Sequence, residues 1–172
     1  MKTLTFLATA AAFAAAGAVA QPAAINDAQI AHIVVTANQV DIDAGKVAEQ
    51  KGSTADVKAF GKQMVTDHTG VNKQAGDLAH KLGVTPEDNA TSKSLKSGGE
   101  ENVKKLEGLS GKAFDKAYVD HEVAYHEQVL AAIDGTLVPN AKNAELKALI
   151  VKVRPAFVAH LEHAKAMQAK LK

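Results

Sequence analysis

Three of the seven histidines in this chain could bind one metal ion together, because helical spacing places them among apolar residues. His68 lies four residues after Met64, and His160 lies three residues after Phe157. His126 falls in a third amphipathic segment. We therefore predict that these three imidazoles face the core of a helical domain and form a metal site.

Carboxylates near the same apolar stripes could complete the site. Asp41 directly follows Val40 and is the most central carboxylate of its segment, which predicts it as a fourth ligand. Asp67, Glu122 and His163 are close enough to orient the ligands or to replace one of them. Imidazole and carboxylate groups favour Zn, Cu, Fe or Mn over Ca and Mg, so we expect a transition metal.

Two apolar stripes compete on the segment that carries His126. The first stripe, which buries His126, contains Val119, Val123, Leu130 and Ile133. The second stripe, which would bring His121 and Glu122 toward the core instead, contains Phe114, Tyr118, Tyr125 and Val129. Both have helical spacing, so the sequence leaves the buried face of this helix open.

The composition excludes several other kinds of chemistry. The chain has no cysteine, which removes disulfides, thiolate metal sites and cysteine nucleophiles. It has 20 basic and 19 acidic side chains, so it lacks the basic excess of a nucleic-acid-binding protein. No glycine-rich phosphate loop and no serine-hydrolase motif is present. These features favour a binding protein over an enzyme.

Apolar residues recur at helical spacing along most of the chain, which predicts an all-α fold. The expected helices span residues 26–50, 54–82, 112–134 and 141–171, within one domain of residues 21–172 whose core is 26–171. Gly135 is expected to end the third helix, and Pro155 is expected to kink or split the fourth. Residues 84–110 are rich in Gly, Ser and Lys, and we expect only a short helix there, over 100–106.

The long segment 84–110 determines the expected topology. About 27 residues far exceed the usual helix–helix hairpin loop of roughly 2–8, so this segment should cross the bundle and leave the second and third helices parallel. That arrangement is a ferritin-like four-helix bundle. Counting residues from the helix ends then brings Asp41, His68, His126 and His160 to within roughly 7 Å of one level along the bundle.

The N-terminus has the three parts of a secretory signal peptide. Lys2 is followed by the apolar run 4–16, and Ala18-Val19-Ala20 fits the small-x-small cleavage rule. The apolar stretch is shorter than the roughly 20 residues that span a bilayer. We expect cleavage of residues 1–20 and a periplasmic or secreted product with no transmembrane segment. The sequence does not indicate an oligomeric state or a protein partner.

Three segments resemble an exported bacterial family of ferritin-like proteins, the domain-of-unknown-function family 4142. They are Val57 to His68, then Leu109 to Val119 with His126 beyond, and Pro155 followed by His160-Leu161. The resemblance covers about residues 26–171. It implies a helical bundle and export, and by analogy with other ferritin-like proteins a metal site. Where the family usually has Glu on the first helix, this chain has Asp41.

Two functional hypotheses follow from the residues. In the first, the protein binds or handles a transition metal through its inward histidines. In the second, it is a structural or interaction protein of the cell envelope without metal, whose inward histidines only fill the core. A metal-dependent redox enzyme is a third class, although the Glu-x-x-His pairs of di-iron bundles are missing from the core stripes. His32 and His80 lie on polar faces and are expected at the surface.

Signal cleavage predicts the N-terminus of the mature protein. Mass spectrometry of the exported product should show a chain that begins at Gln21, in its free or cyclised form. A membrane-bound product that still begins at Met1 would overturn the assignment of the leader and the expected localisation.

Overall fold

The computed structural model describes residues 25–171, which form an all-α bundle without a β-strand in that range. The predicted signal peptide lies outside the described residues. The helices are α1 (Asp27–Lys51), α2 (Ala55–Leu82), α3 (Ala90–Glu107), α4 (Gly111–Ala132), a π-helical turn (Ile133–Leu137), α5 (Val138–Asn140) and α6 (Ala144–Lys170). None of the described helices is long and apolar enough to cross a membrane.

Side chains just before the helices determine where most of them begin. Asn26 accepts a hydrogen bond from the backbone N–H of Gln29, whose side chain in turn accepts from the backbone of Asn26. Asn89 forms the same reciprocal pair at α3, and the side chains of Thr54 and Asn143 accept from backbone N–H groups at the starts of α2 and α6. These caps satisfy N–H groups that have no partner within the helix, which explains why the predicted starts of α1, α2 and α6 are close to the observed ones.

Contacts between helix ends establish the topology. Ser53, at the start of α2, donates from its backbone N and its hydroxyl to Asp115, near the start of α4, at 2.8 and 2.6 Å. At the other end of the bundle, Lys81 near the end of α2 pairs with Glu145 at the start of α6. The helices α2 and α4 therefore begin at the same end and run parallel, as the long connection predicts.

The connection between α2 and α4 is more helical than expected. Its helix α3 begins at Ala90 and not near residue 100, and it runs alongside α1. Gly98 and Gly99, which precede the short helix expected over 100–106, lie inside it. Gly99 is required by packing, since a Cβ there would lie 2.7 Å from Cγ2 of Val40. The helix returns the chain to the other end of the bundle.

Neither Gly135 nor Pro155 ends the helical path, so the predicted end of the third helix at Gly135 and the predicted split at Pro155 are both wrong. The helical path continues through Gly135 as a π-helical turn, which buries both Ile133 and Leu137. The helix α6 is unbroken from Ala144 to Lys170 with Pro155 inside it. Pro155 is exposed, so the carbonyl that it leaves without an N–H partner one turn earlier can bond to water.

The first two helices approach each other closely at a pair of glycines. A Cβ at Gly61 on α2 would lie 2.7 Å from the backbone oxygen of Gly45 on α1, and one at Gly45 would lie 2.8 Å from the oxygen of Gly61. Backbone atoms cannot move aside as a flexible side chain can, so these two positions hold α1 and α2 at a short separation.

The glycine contact predicts opposite effects for two alanine substitutions on α2. Gly61→Ala should lower the free energy of unfolding by roughly 1–3 kcal/mol, because it forces α1 and α2 apart. Gly70→Ala, where a Cβ would meet nothing within 4 Å, should raise it by up to about 1 kcal/mol through better helix propensity. Thermal and urea unfolding measure both. A Gly61→Ala variant as stable as Gly70→Ala would contradict this account of the packing.

Candidate metal centre

Five ionisable side chains meet in the middle of the bundle, shielded from solvent by apolar packing. Asp41 on α1, His68 on α2, Glu122 and His126 on α4, and His160 on α6 each have at most 3% of their surface exposed. Every one of the four long bundle helices contributes at least one member. Burial of this kind is costly unless the groups are paired, hydrogen-bonded or bound to a cation.

The three predicted histidines lie side by side. The ring centroids are 5.7 Å apart for His68 and His126, 5.3 Å for His68 and His160, and 5.5 Å for His126 and His160. One ring nitrogen from each histidine lies within 4.8 Å of the others. Phe157 packs against all three rings and closes the apolar side of the cluster.

A buried amide determines the tautomer of His68. Nδ1 of His68 lies 2.7 Å from Oδ1 of Asn38, whose own Nδ2 donates to the backbone oxygen of Val34 at 2.8 Å. Because that second bond orients the amide, Oδ1 must accept and Nδ1 must carry the hydrogen. Nε2 of His68 is then an unprotonated acceptor, which is the form that binds metal.

Oxygen acceptors determine the other two tautomers. Nδ1 of His126 donates to the backbone oxygen of Glu122 at 3.0 Å, and Nε2 of His160 donates to Oδ2 of Asp67 at 2.9 Å. The opposite nitrogens, Nε2 of His126 and Nδ1 of His160, are therefore unprotonated as well. Like Nε2 of His68, they are buried and have no hydrogen-bond partner among residues 25–171.

The carboxyl groups of Asp41 and Glu122 lie next to the imidazoles. Asp41 Oδ2 is 3.6 Å from Nε2 of His68, and Glu122 Oε2 is 3.5 Å from Nδ1 of His126. Asp41, Glu122 and His126 form a second group whose ligand atoms lie within 4.8 Å of one another. None of the four carboxyl oxygens meets hydrogen-bond geometry with a described residue.

Burial keeps the imidazoles neutral. It lowers the pKa of His68 to about 2 and that of His126 to about 4, and the neighbouring imidazoles lower both further. It also lowers the pKa of His160, although Asp67 opposes this effect. Neutral imidazole is the state that a metal ion requires, so these side chains need not lose a proton at pH 7 to bind one.

Burial has the opposite effect on the two carboxyl groups. It raises the pKa of Glu122 to about 8. The pKa of Asp41 is raised well above its usual value by burial and then by the nearby Glu122. The phenol pKa values of Tyr118 and Tyr125, whose rings lie beside the pair, are raised by burial and by both carboxyl groups. Tyr118 opposes the effect on Glu122, and a cation in the cluster would favour the ionised form of both carboxyl groups.

The structure resolves which face of α4 is buried. Both candidate stripes are covered, because α4 packs against α6, α1 and the end of α3. His126 and Glu122 are therefore both in the core, while His121 is half-buried and stacks on Tyr125 with ring centroids 5.5 Å apart. Glu122, predicted as an alternative ligand, is as deeply buried as Asp41.

The remaining predicted residues lie farther out. Asp67 contacts the cluster only through His160, and its side chain is 41% exposed. His163 is exposed, and its ring packs edge-on against Phe60 with centroids 4.9 Å apart, so it does not point inward with His160. An i, i+3 pair spans about 60° around a helix, enough here to turn the second ring out of the core. Asn38 was not predicted from the sequence, where its position between apolar stripe residues was its only signal.

The two histidines expected at the surface are both outside the cluster. His80 is exposed on α2. His32 is half-buried at the edge of α1, with its Nδ1 3.7 Å from Asp88. Neither contacts the central cluster, so both are suitable control positions.

Comparison with known families identifies the chain. The model of DUF4142, a domain of unknown function, matches residues 8–167. The chain belongs to this family. The match covers the segments that carry His68, His126 and His160, and no curated protein matches the chain.

The fold is also found in a second family. A crystal structure of a DUF305 fragment from Deinococcus radiodurans superposes with a TM-score of 0.71, covering 87% of this chain and 99% of that one. Sequence identity is only 11%, so the likeness concerns the fold alone. It supports a helical bundle of ferritin-like type for this member of DUF4142.

The raised pKa of Glu122 predicts how stability changes with pH when metal is chelated. Between the ordinary carboxyl pKa of 4.5 and about 8, the folded protein holds a proton on Glu122 that the unfolded chain does not. The contribution of Glu122 to the free energy of unfolding is therefore largest below pH 4.5, and it is lost as the pH rises toward 8. Glu122→Gln removes the loss, so its melting temperature relative to wild type should rise by about 5 °C or more from pH 5 to pH 8.

Glu127→Gln is the matched control for this prediction. Glu127 lies on the same helix and is exposed beside Lys165, so its replacement removes the same charge outside the core. Its melting temperature relative to wild type should change little over this pH range. A Glu122→Gln difference that is equally flat would show that Glu122 is ionised in the metal-free core.

Proposed function

We propose that this DUF4142 protein is an exported transition-metal-binding protein that holds one ion in the centre of its bundle. The observation that carries the proposal is the set of three buried imidazoles, each with one nitrogen donating to an oxygen and the other unprotonated and without a hydrogen-bond partner among residues 25–171. A structural core would have no need to orient three acceptor nitrogens together. A metal site requires it, because each ligand must present a lone pair.

The donor set indicates the class of metal. Three imidazole nitrogens with adjacent carboxylate oxygens suit Zn, Cu, Fe or Mn, whereas Ca and Mg prefer oxygen ligands alone. The histidines His68, His126 and His160 would bind the ion. Asp41 and Glu122 would add oxygen ligands or bond to an ion-bound water.

The same geometry supports one ion rather than two. His126 belongs to both groups of possible ligands, but its Nδ1 is occupied by the backbone oxygen of Glu122. Only its Nε2 can bind, so His126 can serve one ion. A second ion would then have only the two carboxyl groups of the cluster as protein ligands, which are too few for a buried transition metal.

Charge balance supports a divalent ion. The imidazoles are neutral, and Asp41 and Glu122 are the only acidic groups within the cluster. If both carboxyl groups ionise when the metal binds, their two negative charges balance the two positive charges of a divalent cation. A neutral assembly avoids the large cost of placing net charge in an apolar core.

Export is the second part of the proposal. It rests on the signal-peptide pattern of residues 1–20, with the small-x-small site before Gln21. In the periplasm or outside the cell, the protein would bind metal without competition from cytoplasmic thiols. The absence of cysteine agrees with a fold that relies on packing and on its ligand.

Metal should raise the melting temperature of the wild type. An ion at a concentration 100 times its Kd stabilises the folded state by about 2.7 kcal/mol, which corresponds to roughly 5–10 °C for a domain of this size. We expect such a shift for untagged protein with at least one of Zn²⁺, Cu²⁺, Fe²⁺ or Mn²⁺, together with one ion per chain by elemental analysis.

Variants separate the metal site from a histidine-filled core. His68→Ala and His126→Ala should lose the metal-dependent shift, whereas His80→Ala should keep it because His80 is exposed. Both core variants should also be less stable without metal, since each leaves a cavity and an unpaired partner. If no metal changes the melting temperature of the wild type, the proposal fails. The hypothesis of a structural or interaction protein of the cell envelope is then favoured.

A further inference from the structure

We propose, on the basis of the metal-binding function above, that the ion reaches the buried cluster through the seam between α2 and α6, and that Asp67 attracts it there. Asp67 bonds to His160 at 2.9 Å and has 41% of its side chain exposed. It thus connects the solvent directly to one of the three imidazoles. The role assigned to Asp67 is capture of the incoming ion, not ligation of the bound one.

The other partners of the cluster offer no such path. His68 bonds to Asn38, which is 1% exposed, and His126 bonds to a backbone oxygen within its own helix. Asp41 and Glu122 are at most 1% exposed. Among the described hydrogen-bonding partners of the imidazoles, the Asp67 carboxylate is therefore the group that reaches the surface.

The seam between α2 and α6 is joined at the surface by polar pairs. Besides Asp67 and His160, these pairs are Lys81 with Glu145, Lys152 with Gln74, and Lys170 with Asp56. Exposed pairs of this kind contribute at most about 1 kcal/mol each, and they can exchange with water. Local opening of this seam would expose His160, and the contact of Gly45 with Gly61 that holds α1 against α2 does not involve α6.

The opposite seam, between α1 and α4, is more firmly closed. The Tyr125 hydroxyl donates to the backbone oxygen of Ala37 across it at 3.1 Å. The extra helix α3 packs along α1 and also touches α4, where Leu106 is fully buried. On this side a buried hydrogen bond and the apolar contact around Leu106 lie between the cluster and solvent, and no exposed acidic group bonds to an imidazole of the cluster there among the described residues, which favours the α2–α6 seam as the route.

The rate of metal uptake tests this role separately from binding. Stopped-flow mixing of metal-free protein with Co²⁺, at low ionic strength, follows the visible absorption of the bound ion. Asp67→Asn keeps an oxygen acceptor for Nε2 of His160 but removes the charge. We expect its uptake rate to fall about tenfold while the final stoichiometry stays at one ion per chain.

Two further variants isolate the charge at this position. Asp67→Glu retains the charge and should keep most of the wild-type rate. Asp77→Asn removes the same charge from an exposed site on α2, beside Lys73, and should bind at the wild-type rate. Added salt should slow the wild type toward the rate of Asp67→Asn and leave that variant almost unaffected.

Two results would overturn the inference. Equal rates for wild type and Asp67→Asn at low salt would show that the ion enters elsewhere. A loss of stoichiometry in Asp67→Asn would show that Asp67 ligates the bound ion or is required to hold His160. Failure of wild-type protein to bind Co²⁺ at equilibrium is a different result, because it contradicts the metal site itself.

Discussion

The buried cluster of three imidazoles and two carboxyl groups is the constraint on which the rest of the structure depends. Each buried acceptor without a partner costs about 1–3 kcal/mol, and a domain of this size has a net stability of only about 5–15 kcal/mol. Without disulfides, the stability of the fold comes from the apolar packing around the cluster. A bound cation would convert these costs into favourable interactions, which couples folding to binding.

The connectivity of the bundle assembles the cluster. The helix α3 carries the chain back along α1, so that α4 begins at the same end of the bundle as α2. In that orientation Glu122 and His126 lie level with Asp41 and His68. The glycines at positions 45 and 61 hold α1 and α2 close together, and Gly99 lets α3 lie against α1. Close packing thus holds the donors in position before any ion binds, which lowers the entropic cost of binding.

Hydrogen bonds around the cluster are as important as the possible ligands themselves. Asn38, the backbone oxygen of Glu122 and Asp67 each accept from one imidazole and leave the other nitrogen free. Two of these partners are buried, and Asp67 is half-exposed. His68 and His126 thus have buried partners only, whereas the partner of His160 reaches the solvent.

The amino-acid sequence by itself determined the four long helices and where they begin, the family and the inward position of His68 and His160. Those features depend on local periodicity and on single side chains next to a helix end. Only the tertiary structure decided the environment of α4, because a helix covered by several neighbours buries both of its apolar stripes, and with them Glu122 as well as His126. The continuation of the helices through Gly99 and Gly135 was likewise decided by packing, which outweighs the local preference of glycine to end a helix, whereas the exposed position of Pro155 in the fold lets water satisfy the carbonyl that it leaves free.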